Sequence, residues 1–97
     1  MKFKENIFGI IKRGAIHCNT FNNAEALLNE LDKLGAIWYS GHSLLDDKRW
    51  DDYKENTCYV VHSILNGKRT LLIASVKMAI NNNYKIIEFE ELLEAEN

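Results

Sequence analysis

Three histidines and two cysteines are the first residues to weigh for chemistry. His17 and Cys18 are adjacent, and Cys58 and His62 lie four positions apart. Zinc takes both residue types, but closed zinc sites usually draw their ligands from CxxC-like or HxxxH-like turns. Neighbours on a strand point to opposite faces, so His17 and Cys18 cannot readily share an ion. Cys58 and His62 would share a strand face, yet stand about 13 Å apart at the usual rise per residue. No metal site and no cofactor is expected. A catalytic cysteine needs a partly exposed, electropositive setting that lowers its pKa. Nothing around Cys18 or Cys58, paired with His17, His42 or His62, supplies that setting, and buried thiols acting as small apolar side chains fit better. Asp46, Asp47, Asp51 and Asp52 read as caps and a solvated helix face rather than as an acid–base pair. The chain is expected to be non-enzymatic.

Binding is the stronger theme. Trp38, Trp50, Tyr53 and Tyr59 are residues of the kind that carry the energy of partner surfaces or stack on bases. One candidate surface is Asp47, Arg49, Trp50, Asp51, Asp52 and Tyr53, where aromatic and arginine side chains sit among acids. A second is a ligand loop made of Trp38, Ser40, Gly41, His42 and Ser43, whose amides and hydroxyls suit a phosphate or a ribose. That loop lacks the GxxxxGK[ST] and GxGxxG spacings, so it is no recognised nucleotide motif. Trp38 also reads as core, and Trp50 as a residue that fastens a helix to the sheet.

These residues need elements to hold them. Phe21, Ala24, Leu27, Leu28, Leu31 and Leu34 recur at three- and four-residue steps, the stripe of an amphipathic helix. Thr20 or Asn22 can cap it, with Asn22 and Glu25 at capping-box spacing, and Gly35 suits the left-handed position that ends it. Ala15-Ile16 before it and Ala36 to Tyr39 after it read as buried strands. Pairing those two in parallel would make a right-handed β-α-β crossover. Residues 3–13 form an N-terminal arm or short helix, with an edge strand at Ile10-Ile11 as the other reading. Asp46 caps a helix of about two turns over residues 46–55, with Leu45 and Trp50 as its hydrophobic staple and Trp50 and Tyr53 on one side. Asn66-Gly67 between apolar runs predicts a type I′ hairpin. Such a turn pairs Leu65 with Lys68, Ser63 with Thr70, Val61 with Leu72 and Tyr59 with Ala74. Ser75 caps a short helix, Tyr84 to Phe89 is a last strand, and residues 90–97 are an acidic tail or short helix. The class is α+β: one domain over residues 1–97, a mixed sheet of about five strands, and one main helix packed on it.

Bulk composition narrows the partners. The 97 residues are 46% hydrophobic, with 14 acids against 12 bases for a net charge of −2. Direct nucleic-acid binding is not expected from that balance. Neither a membrane span nor a secretory leader is legible, so a cytoplasmic protein is expected.

Taken as a set, several short patterns add a resemblance. Ile16-His17-Cys18-x-Thr20, Trp38-x-Ser40-Gly41, Ser43-Leu44, Trp50-x-x-Tyr53, Thr57-Cys58-Tyr59 and Ile86-Ile87-Glu88-Phe89 resemble a group of short bacteriophage and prophage accessory proteins of Gram-positive hosts. The resemblance spans roughly residues 14–90 and carries no reaction. It implies an inhibitor of host defence, of the anti-CRISPR kind, that docks on a host defence protein in the bacterial cytoplasm. The alternative it implies is a homo-oligomeric protein that sequesters a small nucleotide signal. A small enzyme is a third reading.

Overall fold

In a computed structural model of the chain, residues 2–95 are described. In chain order they form α1 (Ile7–Ile11), β1 (Ala15–Cys18), α2 (Phe21–Lys33), β2 (Ile37–Trp38), β3 (Thr57–Leu65), β4 (Lys68–Ser75), α3 (Val76–Asn81) and β5 (Ile86–Glu88). Short 3₁₀ turns lie at Trp50–Asp52, Lys54–Asn56 and Phe89–Leu92. The five strands make one mixed sheet in the order β2-β4-β3-β1-β5, an α+β fold.

Helix α2 forms as its stripe requires. Thr20 Oγ1 accepts the Asn23 amide at 3.1 Å, so Thr20 rather than Asn22 is the cap, and Gly35 follows the helix at φ 90°. Ala24, Leu27, Leu28 and Leu31 are fully buried against Ile16, Tyr59, Leu71 and Ile87 of the sheet. The other face is covered by α3, where Ala79 packs on Ala15, Cys58, Val60 and Ala74. Ser75 caps α3 through the Met78 amide at 3.1 Å.

Strands β1 and β2 run the same way but are not neighbours. The hairpin β3–β4 lies between them: β1 pairs antiparallel with β3 and parallel with β5, while β2 pairs parallel with β4. The expected direct crossover is therefore split. Its cause is size: β2 is only two residues long, whereas β3 and β4 have nine and eight and bury side chains on both faces. The long apolar strands take the middle of the sheet and the short one is left at the edge.

Asn66 and Gly67 have φ 52° and 80°, as a type I′ turn demands, and Leu65 faces Lys68. Gly67 tolerates that conformation because it has no Cβ. Beyond Ser63–Thr70 the expected register fails. A bulge between Val61 and Ser63 moves the pairing by one, so Val61 meets Leu71 and Tyr59 meets Ile73. The extra residue is His62. The shift places Leu71 with Tyr59 and Val61 in the α2 core rather than on the opposite face.

The ends of the described chain pair with each other. Phe3 bridges Leu93, the Lys4 amide donates to Leu92 O and the Glu94 amide to Lys2 O, each at 2.8 Å. Of the two readings for the end of the chain, the short helix is nearer: a 3₁₀ turn spans Phe89–Leu92, with Phe89 and Leu92 buried and Phe3 meeting the Phe89 ring edge-on at 5.7 Å. Glu96 and Asn97 of the expected acidic tail lie outside the described residues.

Candidate functional site

After β2 the chain reverses tightly. Trp38 N–H donates to His42 O at 2.9 Å and Gly41 N–H to Trp38 O at 2.8 Å. Gly41 stands at φ 94°, a conformation that side chains with a Cβ resist. Ser40 Oγ and His42 Nδ1 lie 3.0 Å apart on the tip. Trp38 is core, 7% exposed, while Tyr39 is 54% exposed and stands over His62 with ring centroids 5.0 Å apart.

The segment that follows is a strap, not a helix. Leu44 is fully buried and anchors its start. Trp38 Nε1 then donates to Asp47 O at 2.9 Å, and Tyr59 Oη to Lys48 O at 2.7 Å. Burial, helped by Cys18 and Asp47, pushes the Tyr59 hydroxyl well above its ordinary pKa, so it keeps its proton and donates. In the expected helix those two carbonyls would accept amides one turn on. Asp47 Oδ1 accepts the Arg49 amide at 3.0 Å instead, the local bond by which Asp competes with helix, and Arg49 sits at φ 59°. The Leu45–Trp50 staple is absent: Leu45 is exposed, and Trp50 packs edge-on against Phe21 of α2 at 6.3 Å. Tyr53 goes elsewhere, its hydroxyl reaching Met78 Sδ on α3 at 3.4 Å.

Strap, loop and sheet edge together enclose an open groove of about 630 Å³. One wall is Trp38, Tyr39, Ser40 and His42; the opposite rim is Asp46, Asp47 and Arg49; Leu71, Leu72 and Ile73 of β4 form the floor. The structure thus brings parts of both candidate surfaces to one place. Trp50, Asp51, Asp52 and Tyr53 lie outside the lining, although Asp52 Oδ2 holds the Arg49 guanidinium at 2.9 Å. Gly41 and Ser43 also lie outside; Ser43 Oγ accepts the Leu45 amide at 3.2 Å and turns the chain. Strand pairing adds one more property. β2 pairs with β4 only at Thr70 and Leu71, and Tyr39 N–H takes Leu71 O at 2.9 Å. Among the described residues no strand pairs with β4 on that side from Leu72 onward.

Comparison with known proteins supplies no relative. No family model, curated protein or solved structure matches the chain.

The groove residues Tyr39, Asp46, Leu71, Leu72 and Ile73 were not among the expected site residues. Tyr39 carried a signal, an aromatic residue between a core tryptophan and a polar turn. The β4 residues carried none, because their part in the site depends on where β2 stops.

The cysteines are unreactive by position. Cys18 lies in the α2 core and Cys58 in the α3 cluster, both fully buried and both free. Burial, with Glu88 adding to it, pushes the Cys58 thiol up to about 11, and burial raises Cys18 further. His17 is in register with Cys58 on β3 and with Glu88 on β5. Its ring is taken by other partners: Nδ1 lies 2.7 Å from Glu88 Oε1 and Nε2 lies 2.7 Å from Glu55 O. A carbonyl only accepts, so Nε2 carries a proton and the imidazole braces β1 to β5 and to the turn at 54–56. Among the described residues no three side chains of metal-binding type come together.

Proposed function

We propose that the chain is a non-enzymatic docking protein, an inhibitor that seats an extended, basic segment of a host defence protein in the groove beside β4. The observation that carries this reading is the groove's combination of an open strand edge, an aromatic wall and an acidic rim. Unpaired main-chain groups along an edge strand accept an added strand, and pockets beside it select alternate side chains. Tyr39 offers the exposed aromatic surface that concentrates binding energy. Asp46 and Asp47, with Asp51 and Asp52 further along the strap, favour a positively charged partner and speed its approach. The assignment to host defence rests on the resemblance to phage accessory proteins.

The reading predicts a particular mutational pattern. Asp46→Lys with Asp47→Lys slows association and weakens inhibition without loss of folding, and Tyr39→Ala weakens it through faster dissociation. Ser40→Ala and Ser43→Ala have little effect. Pull-down from defence-expressing cells, followed by association kinetics on the captured partner, reads these outcomes. Retained inhibition after both acid reversals and Tyr39→Ala would remove the groove from the mechanism.

A second reading has one observation in its favour: Arg49, His42 and Ser40 share the groove with two aromatic rings, as a nucleotide ligand would use them. The Arg49 guanidinium is already held by Asp52, and two further carboxylates face the space, which opposes a phosphate. Absorbance near 260 nm released on boiling the purified protein would favour this nucleotide-sequestering, homo-oligomeric reading over docking.

A further inference from the structure

A second concavity, of about 360 Å³, opens at the hairpin end of the sheet, away from the acidic rim. Lys12 and Arg13 enter it from the turn after α1, and Arg69 from β4. Val61, Ile64 and the bulge residues His62 and Ser63 complete it. Three cations thus converge in an acidic chain of net charge −2. Among the described residues none of the three forms an ion pair, whereas Lys2, Lys48 and Arg49 each do. Like charges gathered without counter-charges repel, so the arrangement is stabilised by an anion.

Two details argue for a built site. The Arg69 guanidinium stacks on the Phe8 ring, 4.5 Å from its centroid, which fixes a side chain that would otherwise swing freely. His62 Nδ1 is buried with no hydrogen-bond partner. A buried polar atom left unpaired costs free energy, and a turn of the ring that brought this nitrogen to a ligand would recover that cost. His62 is the extra residue of the bulge in β3 and lines the pocket with the three cations, while its ring also meets the Tyr39 ring at 5.0 Å. Lys12 itself is held at φ 54° and ψ −113°, the kind of backbone strain that persists at ligand sites.

We propose that this pocket binds a phosphate dianion, presented free or as a small monoester of about mononucleotide size. Arginine forks match phosphate oxygens two at a time, and Val61 and Ile64 offer apolar cover for a carbon body. The volume lies at the lower end of small-molecule pockets, too small for a polymer to enter. The acidic strap elsewhere on the surface would repel a long polyanion.

Titration with orthophosphate, adenosine 5′-monophosphate and a short single-stranded DNA, followed by calorimetry and ¹H–¹⁵N NMR, tests the proposal. The expected result is one phosphate or monophosphate per chain, shifting the amides of Lys12, Arg13 and Ser63 and the ring nitrogens of His62. Tighter binding of the monophosphate identifies a monoester as the ligand, and binding of orthophosphate alone identifies the free ion. Arg13→Gln, at an exposed position, should weaken binding by about tenfold or more through loss of a charge-assisted pair. Arg69→Lys should weaken it less, and Glu30→Ala on α2 should leave it unchanged. No saturable shift at about 10 mM ligand, where a millimolar site would be mostly filled, overturns the proposal. So do shifts matched by sodium chloride at equal ionic strength, binding that survives Arg13→Gln unchanged, or tightest binding to the DNA.

Discussion

The groove beside β4 and the pocket at the hairpin end share one sheet but differ in every property that selects a ligand. The groove is long, open and rimmed by carboxylates, and its one arginine is neutralised by Asp52. The pocket is smaller, and its three cations have no counter-charge among the described residues. Charge is thus segregated on a chain whose total is close to neutral, so net charge alone describes neither region. The two adjoin where Val61 of the pocket pairs with Leu71 of the groove floor and where the Tyr39 ring lies 5.0 Å from the His62 ring. Were a partner on Tyr39 and a ligand beside His62 to be coupled through this contact, the coupling would be reciprocal.

That contrast rests on a common foundation, which is the most damaging place to break it. Leu31→Ala, at a fully buried position of α2, should cost about 2–5 kcal/mol in chemical denaturation and loosen both regions. Glu30→Ala on the same helix should cost under about 0.5 kcal/mol. Equal losses would show that α2 does not carry the core. Gly67→Val should come next, at about 1–3 kcal/mol, because a β-branched residue resists φ 80°. It should impair anion binding at the pocket, which the hairpin builds, more than docking at the groove.

Trp38→Phe sharpens the contrast from the other side. It removes the donor to Asp47 O and part of the indole's packing, and should cost about 1–3 kcal/mol. The strap should detach, so docking falls while the pocket still binds its anion; the same pair of binding assays reads the result. The smallest effect is alkaline. The Cys58 thiol rises from 9.0 to about 11 on folding, so the unfolded chain loses this proton first as pH rises. Stability is then intact below pH 9 and declines between pH 9 and about 11. Thermal melts across that window should fall more steeply for the native chain than for Cys58→Ala. Identical slopes would mean that Cys58 is not shielded as described.

Much of the fold was legible because it is local. The stripe of α2, the Ser75 cap and the Asn66-Gly67 turn each depend on residues within one or two turns of each other. Strand order was not legible, since it turns on how long apolar strands compete for the centre of the sheet. Nor was the bulge: His62 fits regular alternation in sequence, and only the packed sheet makes it the extra residue. The strap was misread because Asp46 and Trp50 do carry helix signals. Those signals lose to two aromatic hydrogen bonds from Trp38 and Tyr59, nine and eleven residues away from their acceptors. The site followed the same rule. Its loop and acids were visible separately, and their meeting over β4 was not.

The pairing of residues 2–4 with residues 92–94 has a consequence for the making of the protein. On the ribosome residues 2–4 emerge well before residues 92–94 and meet this partner only after those have followed. Strand β1 waits as well, since its neighbours β3 and β5 come long after it. Helix α2 can form as it emerges, but its apolar face has no completed sheet to cover. Translation should therefore yield a loosely organised chain that closes late and all at once, and a pause before residue 86 would leave β1 with one open edge.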